Sequence, residues 1–379
     1  MINLFQPSLS DEELKAIKAV FKTSWLGKGK IVKDFENKFA SNLLDKASNF
    51  LSTTSCTEAI YLSTNLFDFR EDDEIVVPSI SFPSIGSAVI DSGAKIVFCD
   101  VDPHLLNVRA EDIKSVITNK TKAVFITHYG GIPCDMDEIL KICNEKKILV
   151  IEDSACAVKS FYKGKACGTF GDMGMWSFDA MKTLSTADGG MMYIKDSKKR
   201  ALAEELLYLG LPKKSKSGID SSTEDSHNWW EFEMNRTGRR AIMNDVTAAM
   251  GVTQLKKLEA FLNRRKEVHK RYSSELCNVG DIKLPPIPMY DHSSSYYFFW
   301  IQTKFRDKLA KFLLENGIYS TFRYWPLHRV KLFSKYLLSE YPNSDYAASH
   351  TLNIPLHQSL TDEDVSLIID CIKLFYERI

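Results

Sequence analysis

Between residues 50 and 195, short apolar runs alternate with longer stretches of helical spacing, and this alternation restricts the fold more than any other feature. The runs at 75–77, 95–98, 123–126 and 148–151 are rich in Val, Ile and Phe without a polar alternate, as expected of strands buried on both faces. Between them, 57–65, 84–92, 110–117 and 136–145 carry helical periodicity. Strand, helix, strand at this interval predicts an α/β fold, a mostly parallel sheet covered by helices. Such sheets collect their sites at the carboxyl ends of the strands.

Residues 245–272 form one long helical pattern, with Val246, Ala249, Met250, Thr253, Leu255 and Leu258 along its apolar stripe. Beyond it the character changes: 296–302 reads as a strand, 306–316 as a helix, and 361–375 as a last helix behind a Thr-Asp-Glu-Asp start. The 379 residues thus divide into a large domain, 1–260, and a smaller C-terminal α+β domain, 261–379. The polar stretch 213–228, running into the aromatics of 229–234, predicts a flap that docks on a second subunit, within a partner-reaching loop at 211–240. Forty-nine basic and 49 acidic residues cancel, which argues against a nucleic-acid surface. No apolar run is long enough to span a bilayer, and the opening MINLFQP lacks the pattern of a secretion signal. The expectation is a cytoplasmic protein without membrane partners. Eight cysteines are scattered with no C-x-x-C pair, several inside apolar runs, so they read as buried thiols and no metal site is expected.

The chemistry concentrates in two places. Lys182 sits in a polar turn between the apolar runs 174–178 and 191–194, with Gly189 and Gly190 permitting close backbone approach just after it. Upstream, the run ILVIED at 148–153 ends an apolar strand on Asp153. An amine for a Schiff base and a carboxylate for a pyridinium nitrogen are what pyridoxal phosphate requires of a protein. Ser177 can offer a hydroxyl to a phosphate. Cys56 and Thr57 open a helical pattern behind small hydroxyl residues, which cap a helix and leave amides free for a phosphate. Phe82 follows a strand in a Pro-bounded turn, placed for the core or for stacking on a cofactor ring. His128, also at a strand end, reads as a supporting residue.

Several fragments share one resemblance: PSISF at 78–82, GAKIVFCDVD at 93–102, IEDSA at 151–155, Ser177 with Phe178, Lys182, Gly189 with Gly190, AAMGVTQL at 248–255, WPLH at 325–328 and IPLH at 354–357. Over essentially its whole length the chain resembles the DegT/StrS sugar aminotransferases, fold-type-I pyridoxal-phosphate enzymes that aminate keto sugars on nucleotides. The resemblance implies that Lys182 carries the cofactor and that Asp153 pairs with its ring nitrogen. It implies that Ser177 and the Cys56–Thr57 backbone hold the phosphate, and that Phe82 covers the ring. It further implies a homodimer whose sites borrow residues from the loop before the long helix. Cys156 stands where relatives place a glutamine or histidine near the phenolic oxygen. Glu58, Asp179 and Asp188 also depart from the usual pattern. Arg240 stands where relatives bind phosphate through an asparagine, and the family arginine two places on is Ile242.

The expected activity is transfer of an amino group, from glutamate, to the keto group of a nucleotide-linked deoxysugar for a surface glycan or glycosylated metabolite. A cyclitol aminotransferase and a sugar dehydratase are the neighbouring alternatives. Lys182 argues against the dehydratase, whose subgroup carries histidine there. A non-catalytic regulator that senses the cofactor would need a DNA-binding appendage, and no basic helix-turn-helix pattern is present.

Overall fold

The computed structural model describes residues 1–211 and 234–379. The predicted flap at 213–228 and the aromatics up to residue 233 lie outside the described residues.

Helix α1 (Asp11–Phe21) starts at Ser10, whose hydroxyl accepts the Glu12 amide while Glu13 accepts the Ser10 amide. Helix α2 (Lys30–Asn42) begins at Gly29, which has no side chain to cap it. Its free amides are taken instead by a residue more than 200 positions away: Asp245 Oδ1 accepts both the Gly29 and Val32 N–H groups at 2.9 Å. A Cβ on Gly29 would stand 2.5 Å from Asp245 Oδ2, so this long-range cap requires glycine.

The expected alternation follows: β1 (Phe50–Thr53), α3 (Cys56–Leu66), β2 (Glu74–Pro78), α4 (Pro83–Asp91), β3 (Lys95–Cys99), α5 (Ala110–Val116), β4 (Thr121–Thr127), α6 (Met136–Lys146) and β5 (Leu149–Asp153). After the short β6 (Phe161–Tyr162) and β7 (Lys165–Ala166), β8 (Met173–Ser177) and β9 (Gly190–Ile194) complete a seven-stranded sheet. Its order is β1-β9-β8-β5-β4-β2-β3. Strands β8, β5, β4, β2 and β3 pair parallel, and β9 lies antiparallel between β1 and β8. The sheet is covered on both faces. Ile75 and Val77 pack with Ala59, Ile85 and Val89 on one side, while Val76 between them packs with Ile113 and Ile139 on the other.

Helix α7 (Ser197–Leu206) precedes α8 (Asp245–Leu276), a single helix of 32 residues. Leu255 and Leu258 join a cluster with Phe35 and Phe39, whereas Val268, Tyr272 and Leu276 join a separate cluster. That second cluster is built with β11 (Phe299–Gln302), α9 (Arg306–Glu315), β12 (Thr351–Ile354) and α11 (Asp362–Glu377). The remaining elements are β10 (His292–Ser293), which pairs with β6, and α10 (Pro342–His350). Thr361 caps α11 as expected, accepting the Asp364 amide at 3.1 Å. The predicted strand at 296–302 shortens to Phe299–Gln302 because Tyr296 takes a left-handed φ of 49° and the Tyr297 and Phe298 amides both donate to Gly130. Among the described residues no helix is long and apolar enough to cross a membrane.

Candidate active site

Asp153 is the last residue of β5, beside Thr127 at the end of β4. Side chains alternate along a strand, so Glu152 and Asp153 serve opposite faces. Glu152 is fully buried and accepts the amides of Gly168, Phe170 and Gly171 at 2.6–2.7 Å and His128 Nε2 at 3.0 Å. His128 Nδ1 accepts the Cys134 amide, which leaves the ring proton on Nε2 for Glu152. His128 is therefore a supporting residue, as its strand-end position suggested. Replacing Glu152 with alanine strands three buried amides, each costing roughly 1–3 kcal/mol. We expect Glu152→Ala to lower stability by at least about 3 kcal/mol, read from urea unfolding; a change within about 0.5 kcal/mol would contradict this account.

Asp153 faces the other way, into a cavity of about 440 Å³. It is 3% exposed, and its Oδ1 accepts the Ala155 amide at 3.0 Å. Burial pushes its pKa up, with the Ala155 amide and Lys182 pulling against it. Lys182 reaches the same cavity from the turn between β8 and β9, which is held by the backbone bonds Lys182 N–H to Asp179 O and Thr186 N–H to Phe178 O, both 2.9 Å. Its amine lies 3.7 Å from Cys156 Sγ and 4.8 Å from the centre of the Tyr297 ring. Burial opposes the ammonium form, but neighbouring acidic groups, Asp153 among them, more than offset it, and the pKa lies above the usual lysine range. Burial holds the Cys56 and Cys156 thiols protonated by raising their pKa values.

Cys56 and Thr57 form the first turn of α3 and line the cavity. Ser55 caps that helix through the Glu58 amide at 3.1 Å, leaving the Cys56 and Thr57 amides without helical partners. Gly190 brings the lysine turn against this helix end: a Cβ there would lie 2.7 Å from the Cys56 nitrogen. Ser177 and Phe82 also line the cavity. Phe82 is 45% exposed and meets the Tyr324 ring edge-on at 5.6 Å, so its ring is not committed to the core. Cys156 sits just behind the wall, between Lys182 and the Tyr324 hydroxyl at 3.5 Å. Arg240 is exposed, stacked over Tyr208 at 5.4 Å, and does not line the cavity of its own chain.

Sequence reasoning missed most of the far wall: Phe5, Tyr297, Phe298, Arg323 and Tyr324. Phe5 stacks on Tyr297 at 5.3 Å with 10° between the planes. The dense aromatics of 296–300 were the available signal, and they read as strand instead.

A model of the DegT/DnrJ/EryC1/StrS aminotransferase family matches residues 7–373. The chain belongs to that family. DegT/DnrJ/EryC1/StrS proteins are pyridoxal-phosphate-dependent aminotransferases, and this chain is accordingly one, with pyridoxal phosphate as its cofactor. It is 44% identical to a dTDP-4-dehydro-2,3,6-trideoxy-D-glucose 4-aminotransferase from Saccharopolyspora spinosa, over 98% of this chain and 95% of that one. A GDP-perosamine synthase from Escherichia coli O157:H7 is 29% identical over 99% of this chain and 98% of its own. The aminotransferase TlmJ from Streptoalloteichus hindustanus has the same fold, with a TM-score of 0.92 and 43% identity over 99% of this chain and 98% of that one. The expected fold-type-I architecture is thus the one observed.

Proposed function

We propose that the chain moves an amino group from glutamate to the 4-keto carbon of a deoxyhexose carried on a nucleoside diphosphate. The observation that carries this reading is the convergence of Lys182, Asp153 and the free first turn of α3 on one cavity. The 44% identity to an enzyme named for a dTDP-4-keto sugar supports the substrate class.

The residues suit pyridoxal phosphate. Among the described residues, Asp153 is a buried carboxylate with no cation in direct hydrogen-bond contact, Ser84 Oγ lines the cavity buried and unpartnered, and two helix-end amides are free for a phosphate. When bound, pyridoxal phosphate supplies an electron sink and a carrier for the amino group. Asp153 holds the proton on the ring nitrogen. Lys182 Nζ would hold the cofactor and would move the proton at the substrate carbon. The Cys56 and Thr57 amides and the Ser177 hydroxyl would bind the phosphate, Phe82 would cover the ring, and Cys156 would support the cofactor from behind Lys182. Assaying a panel of nucleotide-linked 3-keto and 4-keto sugars with glutamate tests the whole reading; no amination of any 4-keto member would overturn it.

Arg240 completes the site of the neighbouring subunit in a homodimer, a reading supported by its exposure on its own chain. Mixing Lys182→Ala with Arg240→Ala subunits should restore about one site in four under random pairing. No recovery, with exchange verified and both parents defective, would place Arg240 outside any shared site. The division into bodies 1–260 and 261–379 belongs to the same proposal, supported by the separate cluster from Val268 onward. Hydrogen exchange showing one common global rate for both would count against it.

A further inference from the structure

We infer that Arg323 is the residue that grips a carboxylate of the amino donor. The inference rests on the amino-acid donor proposed above and adds its binding group. Arg323 and Lys182 are the two cations among the residues lining the cavity, and the cofactor claims Lys182. Arg323 lies between β11 and β12, and its backbone N–H donates to Asn353 Oδ1 at 2.8 Å. Its guanidinium stacks over the Phe5 ring at 5.2 Å, while Nε is buried without a hydrogen-bond partner. Among the described residues no carboxylate stands within ion-pair distance of it. A half-buried guanidinium normally recovers its lost hydration from an anion, and here the described residues supply none.

The surroundings select the anion. Phe5, Tyr297, Phe298 and Tyr324 give the fork an aromatic setting, and among the described residues lining the cavity the one other cation is Lys182. A pyrophosphate, with more charge and more oxygens, calls for several donors. One planar fork placed over an aromatic ring matches one planar carboxylate. The fork and the Lys182 amine also share one cavity. Arg323 rests on Phe5, Phe5 stacks on Tyr297, and Tyr297 carries the Lys182 amine on its ring. This string of ring contacts links the fork to the reacting amine along one wall of the cavity.

The test uses the loaded enzyme, its Arg323→Met and Arg323→Lys variants, and two non-reacting probes, glutarate and dTDP. Calorimetric titration should show glutarate binding weakened about 10- to 100-fold by Arg323→Met, with Arg323→Lys between, because the charge survives without the fork. Affinity for dTDP should not change, which also reports that the variants are folded. Rapid mixing with glutamate should show the same rise in half-saturation for loss of the cofactor's visible absorbance, with the saturating rate retained. Unchanged glutarate affinity in Arg323→Met overturns the inference, as does weakened dTDP binding with glutarate unaffected, which would assign Arg323 to the nucleotide. If Arg323→Met does not fold, Arg323→Lys decides: wild-type glutarate affinity overturns the inference. A wild-type enzyme that neither binds glutarate nor responds to any amino acid removes the donor reading as well. A wild type that responds, with variants that respond equally, removes only Arg323.

Discussion

Lys182→Ala should abolish transamination, lowering turnover by roughly 10³-fold or more, since positioned proton transfer alone is worth about 10²–10⁴ and the attachment of the cofactor is lost with it. The fold should survive. The turn around Lys182 is held by main-chain bonds, and among the described residues the amine's polar contacts are Cys156 and the Tyr297 ring. Circular dichroism should therefore match wild type while the visible absorbance of the bound cofactor disappears. Borohydride reduction of the wild type should fix the cofactor covalently to a peptide containing Lys182. A labelled peptide from elsewhere in the chain would remove Lys182 from this role.

Asp153→Asn is the complementary experiment because it keeps the shape and changes only the charge. The amide oxygen can still accept the Ala155 N–H now bonded at 3.0 Å. What disappears is the anion proposed to pair with the ring nitrogen. An adjacent opposite charge shifts a pKa by about 1–3 units, each worth about 1.4 kcal/mol, so protonation of the ring becomes about 10- to 1000-fold less favourable. Turnover should fall by a factor in that range while cofactor binding stays moderate. Turnover within a few-fold of wild type would assign the ring nitrogen to another partner.

Much of this architecture was legible because buried parallel strands are continuously apolar. The runs that became β2, β3, β4 and β5 stood out for that reason, and each was found within about two residues of its ends. Strand β1 escaped notice because it is four residues long and ends in Ser52 and Thr53, whose hydroxyls are satisfied by Glu36 and the Ala241 carbonyl. Those partners are remote in sequence. The cap of α2 by Asp245 was hidden for the same reason. In the cavity, the wall from β5, β8 and α3 could be read because each residue occupies a strand end or a helix start. The wall from Phe5, Tyr297, Arg323 and Tyr324 could not: local periodicity carries no information about which distant segments meet. Arg323 in particular looks like any surface arginine until its unpaired Nε and its place over Phe5 are seen together.

The end of β5 has a consequence for how the protein tolerates inherited change. Two adjacent acidic residues there answer to different demands, because the strand turns one to each side. Damage at Glu152 is a loss of folding free energy, and unrelated stabilising substitutions elsewhere can make it good. In the role proposed for it, damage at Asp153 is a loss of chemistry, and no amount of added stability restores it. Neighbouring codons should therefore show opposite behaviour in a stabilised genetic background, with position 152 becoming permissive and position 153 staying closed.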